Sequence, residues 1–206
     1  MKAILAVLAI VVLAVVIYLG VSYRRVQQAA YGPAKEIVSE SITKSGDTWH
    51  VSFVTKFDAP LDKVFEAYSH PERLKEYAPD NVLKSEVLED QGNTKTIDVV
   101  GKLDILPPGF KVQNIRIRYT MYPAEHRITT ETIDFKLADM KSELKFTAAP
   151  DNKGTILDFS ETSKDKAPML VESLQKGALR EQYLTTVRAV NKALGLTPAH
   201  ETREAG

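Results

Sequence analysis

A chain of 206 residues suffices for one domain with a sizeable core. Its 27 Lys plus Arg balance 27 Asp plus Glu, so no net field draws it to nucleic acid, which is not expected as a partner. The absence of cysteine excludes disulfides, thiolate nucleophiles and cysteine-ligated metal centres.

The first predicted element is apolar. No charge interrupts Ala3 to Tyr23, and about 20 such residues at ~1.5 Å each span the ~30 Å hydrocarbon layer. Residues 1–23 are therefore expected to form a transmembrane anchor. A cleaved signal peptide is the rival, with cleavage candidates at Gly20-Val21-Ser22 and Gln28-Ala29-Ala30, although its apolar region usually runs only ~7–15 residues. Lys2 on one side and Arg24 and Arg25 on the other nearly balance the positive-inside comparison. A very short basic tail before an apolar run suits an export signal, which places the domain on the periplasmic side of a bacterial inner membrane.

Residues 24–47 are polar and broken at Gly32-Pro33 and Ser45-Gly46-Asp47, the pattern of a stalk, with a short strand allowed over Glu36 to Ile42. The domain is expected over 48–196. It opens with a period of two: Trp49, Val51, Phe53, Thr55 and Phe57 on one face of a strand, His50, Ser52 and Lys56 on the other. Ala59-Pro60 ends that strand. Leu61, Val64, Phe65 and Tyr68 then fall at helical spacing, and Pro71 opens a second short helix that carries Leu74 and Tyr77 and stops at Pro79.

From Val82 to Ser163 the pattern is strand-like, with turns at Gln91-Gly92-Asn93, Pro107-Pro108-Gly109, Pro123-Ala124-Glu125 and Asp151-Asn152-Lys153-Gly154. Ile97, Val99, Leu103 and Ile105 share one parity, as do Ile115, Ile117, Tyr119 and Met121, and Leu157 with Phe159. The alternate positions are polar, which predicts a curved antiparallel sheet with one covered face. The last element, Pro168 to about Leu194, is a long helix whose apolar side changes near Gly177. A kink, or different surfaces clasping its two halves, accounts for the change. Thr197 to Gly206 is a polar tail expected to be disordered.

The run Phe57-Asp58-Ala59-Pro60-Leu61-Asp62-Lys63-Val64-Phe65, followed by Pro71-Glu72-Arg73-Leu74 and Tyr77, resembles the opening signature of the SRPBCC superfamily. That superfamily comprises START-related lipid-transfer proteins, coenzyme Q-binding proteins, polyketide cyclases and pollen-allergen-like proteins. Tyr77 stands where many relatives carry Trp. The resemblance covers residues 48–196 and implies an α+β helix-grip fold, a curved antiparallel sheet wrapped around the C-terminal helix with a cavity between them.

The chemistry-bearing residues are few. His50, His70, His126 and His200 share no helix face or ligand spacing, and no phosphate loop or nucleophile elbow is present. Neither metal nor cofactor is expected. Glu131 shares its parity with Ile133, Phe135 and Leu137, and Glu161 with Leu157 and Phe159, so both carboxylates nominally point inward. There they would serve as polar anchors in an apolar pocket or as a general acid/base. Alternatively both reach solvent near strand ends, or a bulge flips the parity. Phe110 after the rigid Pro107-Pro108-Gly109 turn sits at a cavity rim or a plain hairpin turn, and Met121, Met140 and Met169 offer adaptable apolar surface.

The expected cavity residues are Phe53, Ile117, Tyr119, Met121, Glu131, Phe135, Phe159, Glu161, Leu170 and Leu174. The resulting expectation is a membrane-anchored binding protein that holds an apolar small molecule or lipid, without a catalytic residue. A cyclase or dehydratase using a cavity glutamate, and a non-catalytic interaction module, are the alternatives.

Overall fold

The computed structural model describes residues 24–106, 111–150, 153–166 and 171–196. Residues 24–31 form a helix, α1. Two strands follow, β1 (Ile37–Ser45) and β2 (Thr48–Phe57), then α2 (Leu61–Tyr68), a 3-10 turn (Pro71–Arg73) and α3 (Leu74–Tyr77). Six further strands come in succession: β3 (Val82–Asp90), β4 (Thr94–Lys102), β5 (Val112–Tyr122), β6 (Arg127–Asp134), β7 (Ala138–Ala148) and β8 (Thr155–Asp165). The chain ends in the long helix α4 (Glu172–Ala193). All eight strands join one antiparallel sheet in the order β1-β2-β8-β7-β6-β5-β4-β3.

The period of two in β2 translates directly into burial. Trp49, Val51, Phe53, Thr55 and Phe57 are all buried, and His50, Ser52 and Lys56 are exposed. Each large side chain so covered contributes roughly 1.5–3 kcal/mol. At the end of β2 the chain turns into α2, and the turn is pinned by the Thr155 hydroxyl, which donates to the Ala59 carbonyl at 2.8 Å. Gly154 permits this crossing, because a Cβ there would meet the Phe57 carbonyl oxygen at 2.6 Å. The Ser69 hydroxyl donates to the Phe65 carbonyl and closes α2 at its C-terminus. α2 packs on β7 and α4, and α3 packs on α4 and β3.

Residues 24–47 correct the expectation of a stalk, because they hold α1 and the edge strand β1, which is fastened to the last helix. Arg180 of α4 is buried and donates through Nε to Glu40 at 2.7 Å and through Nη1 to the Ala29 carbonyl at 3.2 Å. Arg188 of the same helix pairs with Glu36 at 3.0 Å. β1 overlaps the short strand allowed over Glu36 to Ile42; its pattern is faint because only Ile37 and Ile42 pack against the core and a bulge near Ser39 breaks the alternation.

α4 runs from Glu172 to Ala193 as one helix, so the change of apolar side near Gly177 reflects two sets of neighbours. At Gly177 an added Cβ would lie 3.2 Å from Ile105 Cδ1 and 3.4 Å from Ala29 Cβ. The outer side of the first half therefore meets α1 and the segment after β4, while Leu179, Tyr183 and Val190 pack toward the sheet. The expected helix start at Pro168 and the rim candidate Phe110 lie outside the described residues, as do Met169, Leu170 and the tail 197–206.

The predicted anchor, residues 1–23, also lies outside the described residues. Among those described, no helix is long and apolar enough to cross a membrane. Their helices carry polar sides: Gln27 and Gln28 on α1, Lys176, Glu181 and Lys192 on α4. The expectation of a single-pass inner-membrane protein, with its helix as the membrane contact, is therefore corrected: the structure gives that placement no support.

Candidate functional site

The sheet order holds β2 and β4 five strand spacings apart, about 24 Å on a flat sheet at ~4.8 Å each. Val51 of β2 and Ile97 and Val99 of β4 nevertheless line a common cavity. The sheet is thus strongly curved, and its concave side faces α4 across a hollow of about 160 Å³. A neighbouring hollow of about 250 Å³ extends toward Trp49, Leu106, Ile115 and Phe135. Leu74, Val99, Ile117, Met140, Leu179 and Gln182 form walls of both. Together the two volumes fall in the ~300–1,000 Å³ range of small-molecule sites.

Strand register places a line of side chains across the middle of the concave face. Val51 lies opposite Glu161, Glu161 opposite Ser142, Ser142 opposite Thr130, and Thr130 opposite Tyr119. The Thr130 and Ser142 hydroxyls bond each other at 2.6 Å. Gln182 and Thr186, one helical turn apart on α4, line the same hollow. The floor is otherwise apolar and aromatic: the Tyr183 ring stacks on Phe53 with centroids 4.2 Å apart and tilts against Phe159 at 5.0 Å.

Glu161 is the one carboxylate among the described walls of the first hollow. Burial alone pushes its carboxyl up to about 7, because no cation or donor offsets the loss of water around the charged form. It is part-buried and lines the first hollow.

Three tyrosines complete the lining. Tyr183 shares a hydrogen bond with the Thr55 hydroxyl at 2.7 Å. Tyr119 donates to the Tyr68 carbonyl in a short bond. The Tyr68 hydroxyl is buried without a partner, and desolvation raises all three phenols above their usual range. An unsatisfied buried hydroxyl costs about 1–3 kcal/mol unless something bonds it.

Of the residues expected in the cavity, Ile117, Tyr119, Phe159 and Glu161 line the first hollow, and Ile117 and Phe135 the second. Phe53 stands behind the lining, fully buried under Tyr183. Met121 and Leu174 are buried but do not border either hollow. Leu170 lies outside the described residues.

Glu131 corrects the expectation of an inward carboxylate. It projects from the outer face, where Lys141 bonds it at 2.9 Å and Arg118 at 3.5 Å, and the Lys141 bond holds its carboxyl below the usual range. The reason is a register shift: Arg116 pairs with Asp134 but Ile117 pairs with Thr132, which leaves Ile133 bulged. Phe135 and Glu131 therefore have opposite directions despite their shared parity, and the inward positions of β6 are Ile128, Thr130 and Thr132. The outer hollow near Glu131 is larger, about 530 Å³, but it is walled by paired charges and offers an apolar guest little.

Tyr68, Ser142, Thr130, Gln182, Tyr183 and Thr186 are not among the cavity residues expected from the sequence. Serine, threonine and glutamine at alternate strand or helix positions ordinarily signal a wet face, and only the fold turns these toward a hollow. His50 lies on the outer face, His70 bonds Glu72 at 2.9 Å and His126 bonds Asp62 at 3.2 Å. Among the described residues no cluster of three His, Asp or Glu side chains converges to hold a metal ion.

Comparison with known proteins agrees with this geometry. The family described as polyketide cyclase/dehydrase and lipid transport matches residues 48–190. The chain belongs to that family. The Zhui aromatase/cyclase of Streptomyces sp. R1128 is similar in structure at 16% identity, with 71% of this chain covering 96% of that one and a TM-score of 0.56. A START superfamily protein from Mycobacterium smegmatis is similar at 16% identity, 72% and 99% coverage and a TM-score of 0.58. The major latex-like protein 151 of Panax ginseng is similar at 10% identity, 72% and 98% coverage and a TM-score of 0.58. No curated protein matches the chain by sequence. At such identities the structural likeness establishes the helix-grip fold, and family membership supports a role built on a hydrophobic ligand.

Proposed function

We propose that the chain is a binding protein that encloses an apolar small molecule between the concave sheet and α4, with Glu161 as the principal polar contact. One observation carries the reading: the interior holds an apolar hollow lined by an unpaired carboxyl, Glu161, and by the ring of Tyr68, whose buried hydroxyl also lacks a partner. Polar groups left without partners in a dry interior are costly to keep, and a guest that bonds them removes the cost. Apolar contact at about 25 cal/mol per Å² supplies the remaining affinity without any catalytic step.

The test is native mass spectrometry of the purified full chain, with and without Thr186→Trp, a change that projects an indole into the hollow. The wild-type protein is expected to carry or accept an apolar molecule; the variant is expected to lose it while melting within a few degrees of wild type. Retention of the guest by a folded variant would place the site elsewhere.

The second reading is an enzyme of the cyclase or dehydratase class with Glu161 as acid/base. It is favoured by the same carboxyl, held near 7 where proton transfer at neutral pH is most efficient. Under it, Glu161→Gln abolishes turnover and leaves substrate affinity within about threefold; under the binding reading no turnover exists to lose.

A further inference from the structure

We propose that the guest is an organic amine: an aromatic or alkyl body carrying one protonated nitrogen, which docks against Glu161. The inference rests on the binding-protein reading and adds the charge of the ligand to it. Among the described residues lining either hollow, the first carries Glu161 and neither Lys, Arg nor His. The second adds Lys102 and Asp165 toward its far end. Asp165 is bonded by the Lys44 ammonium at 2.8 Å, and Lys102 stands 3.2 Å from Asp104, so both are paired. A fatty acid or other carboxylate entering the first hollow would set two like charges in a low-dielectric space with no cation between them, a strongly unfavourable arrangement. A neutral guest leaves Glu161 either charged and unpaired or protonated. A cationic guest supplies the counter-charge that the walls of the first hollow lack.

The surrounding groups suit a cation as well. Phe159, two residues before Glu161 on β8, packs against the Tyr183 ring, and Tyr68 and Tyr119 line the same hollow. Aromatic faces attract an ammonium group within about 6 Å, most strongly where water is excluded. Ser142 stands opposite Glu161, and Thr130 one strand further along bonds it, so hydroxyl lone pairs that accept from an ammonium N–H line the same face. The other titratable groups sharing the cavity are Tyr68 on α2, Tyr119 on β5 and Tyr183 on α4, all uncharged through neutral pH because burial raises them. The charged pair Lys95–Glu72 lies beyond Tyr119, so Glu161 is the cavity group that titrates near neutrality.

Isothermal titration of the full-length protein with three probes of equal apolar body, 4-phenylbutylamine, 4-phenylbutan-1-ol and 5-phenylpentanoate, tests the proposal. At pH 8.5, where Glu161 is ionised and the amine protonated, the amine should bind at least about tenfold more tightly than the alcohol. The carboxylate should bind more weakly than either. At pH 5.5 the amine must displace the proton from Glu161 and should lose about tenfold or more, while the alcohol should not weaken. In Glu161→Gln the preference for amine over alcohol should collapse with the alcohol's affinity retained. The pH arm needs no variant and stands even if the substitution impairs folding. Alcohol and carboxylate binding as tightly as the amine at pH 8.5, or an amine preference that survives in Glu161→Gln, would overturn the charge assignment and leave the binding reading intact. No binding of any probe would overturn both.

Discussion

At Glu161 the energetic signature of the site is also its handle. The folded protein holds this carboxyl at about 7 against 4.5 for an ordinary glutamate. The unfolded chain therefore releases its proton first as pH rises. The resulting penalty is absent below about pH 4.5, grows through neutrality and levels off above about pH 7, reaching at most about 3 kcal/mol. Wild-type protein without ligand is expected to lose stability relative to Glu161→Gln between pH 5 and pH 8, as read from urea midpoints; parallel curves would contradict the burial assigned to this group. Glu72, Asp104 and Glu131 are shifted downward instead, and their influence falls below pH 4.5, outside that window. The three cavity tyrosines separate in the same way. Tyr119→Phe and Tyr183→Phe each remove a made hydrogen bond and should cost about 1 kcal/mol, whereas Tyr68→Phe removes an unsatisfied hydroxyl and should be neutral or stabilising in chemical denaturation of the empty protein. Inward parity in β8 makes Glu161 legible from the sequence alone. Glu131 misleads because a single bulged residue, Ile133, intervenes between it and Phe135, and nothing in the local composition marks where a strand gains a residue.

At the scale of elements, the join between α4 and the N-terminal segment decides what counts as the domain. Arg180 is almost fully buried, and its partners Glu40 and Ala29 come from β1 and α1. Breaking one side of such a pair leaves a buried charge without its counterpart, at a cost of about 3–5 kcal/mol. Glu40→Ala, which strands the buried guanidinium, should destabilise by about 3 kcal/mol in urea denaturation, and Glu40→Ala combined with Arg180→Ala should cost less than the sum of the singles. An effect under about 0.5 kcal/mol would mean that β1 and α1 are not held by this contact. The alternating strands and the amphipathic α2 are legible because each has one dry face and one wet one. β1 shows only as a short strand over Glu36 to Ile42 for the opposite reason: as a polar edge strand it is recognised by pairing to β2 and by two arginines that lie about 140–150 residues away in the chain.

For the whole molecule, the order of elements foretells the helix-grip arrangement, because strand, short helices, successive strands and a long helix admit few ways to bury one sheet face. The order does not foretell whether the last helix fills the curve of the sheet. That depends on side chains contributed by β2, β4 to β8, α2 and α4 together, whose mutual distances no local pattern encodes. The polar line from Glu161 through Ser142 to Thr130 illustrates the point: Ser142 and Thr130 look solvent-facing alone, and with the inward Glu161 they become one interior feature through register across three strands.

The account stands or falls on guests entering the space beneath α4. Methyl-resolved NMR of the labelled full-length protein, titrated with 4-phenylbutan-1-ol, measures this most directly. Saturable shifts are predicted for Val51, Ile97, Val99, Ile117 and Leu179, which line the hollows, and not for the exposed Leu83 and Val112. Interior methyls that stay unmoved at saturating probe, or shifts confined to the outer face, would contradict it.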